Sequence, residues 1–225
     1  LKTTEIEKDL GIFIHNSMKR NNHIVGIVKK ANKLVGLISR SLDYKSAENI
    51  IPLFKSLVRP ILEYGSSLWN PFMRKDIDSL ERVQRRATKL IPWLRNMEYN
   101  KRLDLLGLQS LEDRRTRTDM IQLFKILHGY DKIDISEIIE KIDSVTRSNG
   151  YKISLKPGRK FKLDIFKYSY FCRVVSSWNS LPEYVVTSKN ISNFKKNYDK
   201  FIDKGGKIFK NYRSEERRVG KECRS

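Results

Sequence analysis

Apolar residues recur at three- and four-residue spacings through most of this chain, which predicts a mainly helical fold. Ile24, Ile27, Ala31, Leu34, Val35, Ile38 and Leu42 form one such stripe. It marks an amphipathic helix over residues 19–42 with one face on a core, and Lys29, Lys30 and Lys33 lie off that face. Ser46 can cap a second helix reaching to about residue 69. Pro52 and Pro60 sit inside it, and each removes a backbone donor, so two segments with a kink before Pro60 are expected. A third helix is predicted over residues 75–91. Ile77, Leu80, Val83, Ala87, Leu90 and Ile91 would face inward, with Arg82, Arg85, Arg86 and Lys89 on the other side. A short helix over residues 99–106 stops at Gly107. Ser110-Leu111-Glu112-Asp113 resembles a capping box and opens a fifth helix to about residue 128, ended by Gly129. Its inner face would be Met120, Ile121, Phe124 and Leu127.

Strand signals are confined to two places. Lys8-Asp9-Leu10-Gly11-Ile12-Phe13-Ile14 combines turn residues with a β-prone run, so residues 3–14 read as a short strand or hairpin. Ile153, Leu155, Phe161, Leu163 and Ile165 alternate, suggesting a small β element over residues 151–166. Its two short strands would flank the turn Lys156-Pro157-Gly158-Arg159. Residues 130–147 read as a mixed connector with one helical turn at Ile138-Ile139. Helices over 167–177 and 190–203 follow, the second with Ile191, Phe194, Tyr198, Phe201 and Ile202 inward and Gly205-Gly206 at its end. The expected organisation is a strand piece over 1–18, a helical domain over 19–130, an α+β region over 131–204, and a disordered tail over 205–225.

Charge adds a partner to this picture. Lys and Arg number 46 against 26 Asp and Glu, a net +20 in 225 residues. Such a surplus repels itself unless a polyanion is near, and nucleic acid is the commonest one. An anionic membrane surface comes second, but no apolar run approaches a spanning length. Cys172 and Cys223 are far apart and lack metal-ligand spacing, which fits a reducing compartment and excludes a disulfide framework. The sequence begins at Leu1, with no signal segment, and is expected to start inside a longer reading frame. Residues 213–225 resemble the translation of a short-read sequencing adapter and are set aside from fold reasoning. They hold five basic and three acidic residues, so the rest keeps +18.

Three blocks carry a family resemblance. The first runs through Leu57-Val58-Arg59-Pro60-Ile61-Leu62-Glu63-Tyr64-Gly65 and Leu68-Trp69-Asn70-Pro71. The second is Leu80-Glu81-Arg82-Val83-Gln84-Arg85-Arg86-Ala87-Thr88-Lys89, and the third Trp178-Asn179-Ser180-Leu181-Pro182-Glu183. Together, over roughly residues 5–204, they resemble the region after the polymerase palm in reverse transcriptases of jockey-like non-LTR retrotransposons. The resemblance implies a thumb-like helical bundle and a post-thumb tail, and it likens Leu10 and Gly11 to the primer-grip hairpin at the end of the palm. It implies RNA and DNA as template–primer partners, the rest of the polymerase as a protein partner, and Mg²⁺ as cofactor of that parent enzyme. It also implies a ribonucleoprotein of a mobile element, in cytoplasm and nucleus.

Polymerase chemistry needs carboxylates that hold two metal ions. This sequence has no Asp-Asp pair and no Tyr-x-Asp-Asp turn, so no catalytic residue and no metal ligand is assigned in it. His15, His23 and His128 are scattered and fall in no metal-binding frame, and they read as ordinary surface or packed side chains. The candidate contacts to the nucleic-acid backbone are Arg82, Arg85, Arg86 and Lys89, which share a helix face, with Arg114, Arg115 and Arg117 as a second cluster. Their bland alternatives are a solvated face partly paired with Glu81, and local neutralisation by Glu112 and Asp113. Trp69 and Trp178 could stack on bases but are expected as core anchors beside turns. The function expected is a non-catalytic fragment of an RNA-directed DNA polymerase that binds template–primer. The alternative is a stand-alone helical nucleic-acid-binding or protein-interaction module derived from such an element. Extending the transcript upstream separates the two, since a continuous frame carrying Tyr-x-Asp-Asp belongs only to the first. The purified chain should give no primer extension on a poly-A template with Mg²⁺, and reproducible extension above a mock purification would refute the assignment.

Overall fold

The computed structural model describes residues 4–16, 20–142, 151–156, 167–208 and 210. Among them the chain is mainly helical with two small antiparallel strand pairs. The chain divides into two compact units, the first up to Arg115 and the second from Thr116. The sequence drew its boundary in the loop after residue 130, whereas these units meet within a helix.

The first unit opens with a hairpin. Strands β1 (Ile6–Asp9) and β2 (Ile12–His15) pair with Asp9 opposite Ile12. Leu10 and Gly11 form the two-residue turn at φ 44° and 87°. Positive φ at both positions gives the turn whose twist matches the strands. Ile12 is buried, and the Tyr64 hydroxyl donates to the Leu10 carbonyl at 3.1 Å.

Helix α1 (Asn21–Ser41) buries Ile24, Ala31, Val35 and Ile38, as its stripe predicts, and leaves Lys29, Lys30 and Lys33 exposed. Helix α2 (Ala47–Leu53) starts where Ser46 Oγ accepts the Asn49 N–H. The expected kink takes a specific form. A π-helical turn, Phe54–Val58, joins α2 to α3 (Arg59–Glu63). In it the Arg59 N–H reaches the Phe54 carbonyl five residues back. The wider turn makes room for Pro60, which has no N–H to give and would clash with a regular turn. The helix does not continue to residue 69, because Gly65 breaks it at φ 62°. Ile12 Cδ1 stands 2.7 Å from where a Cβ on Gly65 would be, so hairpin and helix meet at that glycine. A short helix α4 (Ser66–Trp69) follows, with Trp69 buried and its indole N–H on the Tyr64 carbonyl at 2.7 Å.

Helix α5 (Arg74–Thr88) packs against α1 and buries Ile77, Leu80, Val83 and Ala87. A 3-10 turn (Pro92–Leu94) and helix α6 (Tyr99–Leu105) lead to α7 (Leu111–Leu127). Ser110 caps α7 as expected: its Oγ accepts the Asp113 N–H at 3.0 Å and donates to the Asp113 carboxylate at 2.6 Å.

The second unit is built around Phe124, Trp178 and Phe194, all 1% exposed or less. The Phe194 ring lies 4.4 Å from Phe124 and 5.9 Å from Trp178. Its elements are the rest of α7, strands β3 (Ile139–Lys141) and β4 (Ile153–Leu155), and helices α8 (Tyr170–Asn179), α9 (Glu183–Val186) and α10 (Ile191–Asp203). The expected turn closes on Ile138 and Ile139, whose N–H groups both reach the Ile135 carbonyl at 2.9 Å, and Ile139 then begins a strand the sequence did not mark: β4 pairs antiparallel with β3, Ile139 opposite Leu155. The connector therefore supplies β4 with a partner from earlier in the chain. The strand expected over residues 160–166 lies outside the described residues, as does the tail over 211–225. The Asn179 side chain holds one edge of β4, accepting the Ile153 N–H at 3.1 Å and donating to the Ile153 carbonyl at 2.8 Å. The Trp178 indole N–H donates to the Tyr151 carbonyl at 2.9 Å. Trp69 and Trp178 are thus core anchors.

One polar ring is sealed into the first core. His23 is 3% exposed and lies 5.1 Å from the Trp69 ring. Its Nδ1 accepts the Phe13 N–H at 3.3 Å, which places the proton of the neutral ring on Nε2. Burial lowers its pKa. A second proton would sit on Nδ1 and face the Phe13 N–H donor to donor. The hairpin's anchorage is therefore complete above the unfolded pKa and is lost as pH falls through the lower folded one. Melting curves of the parent and His23→Gln from about pH 7.5 to about pH 4.5 should diverge below about pH 6.5, the parent losing more. Identical pH dependence would show that this ring does not anchor the hairpin.

Candidate nucleic-acid interface

The basic face of α5 is built by the same periodicity that builds its core face. Leu80, Val83 and Ala87 point inward, so Arg82, Arg85, Arg86 and Lys89 are left exposed on the other side. The structure brings all four together in an open groove of about 730 Å³. Leu90, Arg95, Met97, Tyr99 and Arg102 complete its lining. Six of its nine lining side chains are cationic and none is acidic.

Glu81 is next to Arg82 in sequence but is not among the residues that line the groove. It is 6% exposed and turned inward, where it accepts the Tyr99 hydroxyl and the Leu111 N–H, the latter at 3.1 Å. Burial pushes its carboxyl above the usual carboxylate range, against the opposing pull of Tyr99, Arg115 and the Leu111 N–H. Burial and the neighbouring Glu81 charge push the Tyr99 phenol far up, so it stays a donor. Gln84 donates to the Tyr99 oxygen and the Gln109 carbonyl, both at 3.0 Å. The tyrosine ring is thereby fixed, and two guanidiniums lie against it, Arg85 at 4.7 Å and Arg102 at 5.3 Å. Arg86 leans on α1, donating to Asn32 Oδ1 at 3.0 Å.

Arg114, Arg115 and Arg117 are not on the groove. Arg114 forks onto Glu63, with Nη2 to Oε2 at 2.9 Å. Arg115 is 1% exposed, with Nε on Asn70 Oδ1 at 3.1 Å. Arg117 forks onto Asp199 at 2.6 and 2.7 Å. These three were candidate phosphate contacts; the structure gives each an internal partner. Glu63, Asn70 and Asp199 are distant in sequence from these arginines; of the nearby acids, Glu112 meets Arg74 at 3.4 Å and Asp113 meets Ser110. Leu10 and Gly11, the primer-grip-like pair, form the hairpin turn, away from the groove lining.

Sequence reasoning missed Arg95, Tyr99 and Arg102. The last two are three residues apart on α6, the spacing of one helix face, which was a usable signal. Among the described residues no group of three or more His, Cys, Asp or Glu is placed to hold a metal ion, and no helix is long and apolar enough to cross a membrane. No protein-family model, curated protein or solved structure matches the chain.

Arg117→Gln should lower stability by about 1 kcal/mol, since it removes a forked, half-buried ion pair. It should leave the salt dependence of nucleic-acid binding unchanged. Chemical denaturation and a salt titration check the two halves, and a flatter salt slope would return Arg117 to the interface.

Proposed function

We propose that this chain binds the sugar–phosphate backbone of nucleic acid through the α5 groove. On this reading it is the thumb-like part of a non-LTR retrotransposon reverse transcriptase that grips template–primer RNA and DNA. The chemistry and its Mg²⁺ then belong to another part of the polymerase, and the whole works as a ribonucleoprotein of a mobile element in cytoplasm and nucleus. The single observation that carries the reading is the concentration of six cations on one groove with no acid among its lining residues. Surplus positive charge elsewhere is partly consumed by internal pairs, as at Arg114, Arg117 and Arg173. On the groove it is left facing solvent, where a polyanion lowers its self-repulsion and releases counterions. The resemblance of the sequence blocks names the kind of polyanion.

Contacts of this type position a strand without reading its bases. Arg82, Arg86 and Lys89 are exposed, so changing them to Gln together should spare the fold. Binding should weaken alike for every base sequence. If all three meet phosphates, the slope of log affinity against log salt flattens by about 2 to 3 units. Equal slopes for the variant and the parent would mean that the face is only solvated.

A further inference from the structure

The cations of the groove are not equivalent. Arg82, Arg85, Arg86, Lys89 and Arg95 are exposed, whereas Arg102 is 2% exposed and still lines the groove. Its guanidinium has no carboxylate partner among the described residues. Its contacts are the Arg85 carbonyl at 3.5 Å and the Tyr99 ring, and its buried Nε has no hydrogen-bond partner. Arg114, Arg117 and Arg173, which are less buried, each fork onto a carboxylate. A guanidinium stays charged in a protein, so burial without an anion is unfavourable. Arg85 adds a second positive charge on the same ring, and both lower the ease of holding charge at Arg102. This part of the groove is short of an anion.

We propose that the groove contains a subsite for a phosphate monoester, carried at the end of a nucleic-acid strand or on a free nucleotide, with Arg102 and Arg85 as its binding residues. The inference rests on the reading of the groove as a nucleic-acid interface and names the group it selects. An internal phosphodiester has a single charge, two free oxygens and a sugar on either side. It can ride across exposed cations but cannot project to a side chain as recessed as Arg102. A monoester has three free oxygens and a charge of about −1.5 to −2 at neutral pH. It protrudes, and it suits a pair of guanidiniums that offer forked, charge-assisted bonds. A groove of about 730 Å³ is of small-ligand size, with room for a terminal nucleotide. Both guanidiniums lie over the Tyr99 ring, whose hydroxyl is already committed to Glu81 and Gln84.

One single-stranded oligonucleotide, prepared with a 5′-phosphate, a 3′-phosphate or hydroxyls at both ends, tests this by fluorescence anisotropy at fixed salt. One phosphorylated form should bind about tenfold or more tighter than the hydroxyl form. The preference should be lost in Arg102→Gln and reduced in Arg85→Gln, whose exposed position makes misfolding no explanation. Arg82→Gln should weaken all three forms alike and keep the preference, which separates the subsite from general charge. A nucleoside monophosphate that displaces the strand at comparable concentration would uphold the subsite and assign it to free nucleotide. Equal binding of the three forms would overturn the subsite and leave the backbone interface standing. No binding of any form would overturn both.

Discussion

A buried carboxylate holds the first unit's interface together. Glu81 projects inward from α5, takes the Tyr99 hydroxyl from α6 and closes the open N-terminus of α7 through the Leu111 N–H. Helix starts leave backbone donors unsatisfied, and a carboxylate there is favoured by the helix dipole. Three helices are thus registered by one side chain. Its charge is costly to bury, and the Tyr99 hydroxyl, the Leu111 N–H and the positive charge of Arg115 offset that cost. The groove follows from this arrangement: with Tyr99 pinned from behind, its ring becomes the fixed post against which Arg85 and Arg102 lie.

The same logic sorts the arginines of the chain into two populations. Arg114, Arg117 and Arg173 meet carboxylates from distant parts of the sequence and serve the fold. Arg82, Arg85, Arg86, Arg95 and Arg102 line a groove without acids and carry the binding hypothesis. A net charge of +20 does not by itself separate these roles. What separates them is whether folding supplies an acid within reach.

The two Trp-Asn blocks act as structural pins, each in its own unit. Trp69 closes the turn at Gly65, and Asn70 receives Arg115 on its side chain and Arg20 on its carbonyl at 3.2 Å. Trp178 fills the second core while Asn179 clamps both backbone groups of Ile153. In both cases the tryptophan supplies apolar area and the asparagine satisfies polar groups that the tryptophan's burial leaves nearby. The pairing explains why these dipeptides stand out in the sequence without implying contact with bases.

Local pattern in the sequence marked α1, α5 and α6, the start of α7 at Ser110, the strand or hairpin over residues 3–14 and the split of α5 into apolar and basic faces. These features are local, set by residues three or four apart or by a turn of two residues, so they are legible in the chain order. The partner of β4 and the break at Gly65 were not legible, because each depends on a group brought from elsewhere, β3 or the Ile12 side chain. The kink before Pro60 was legible, and only its π-helical form was not. The site divides the same way. The sequence marked Arg82, Arg85, Arg86 and Lys89 because they share a helix face. Only the tertiary structure turned Glu81 away from them, added Arg95, Tyr99 and Arg102, and withdrew Arg114, Arg115 and Arg117 into internal contacts. The reason is physical: an ion pair is decided by distance in space, and residues such as Glu63 and Asp199 reach their arginines only once the chain has folded.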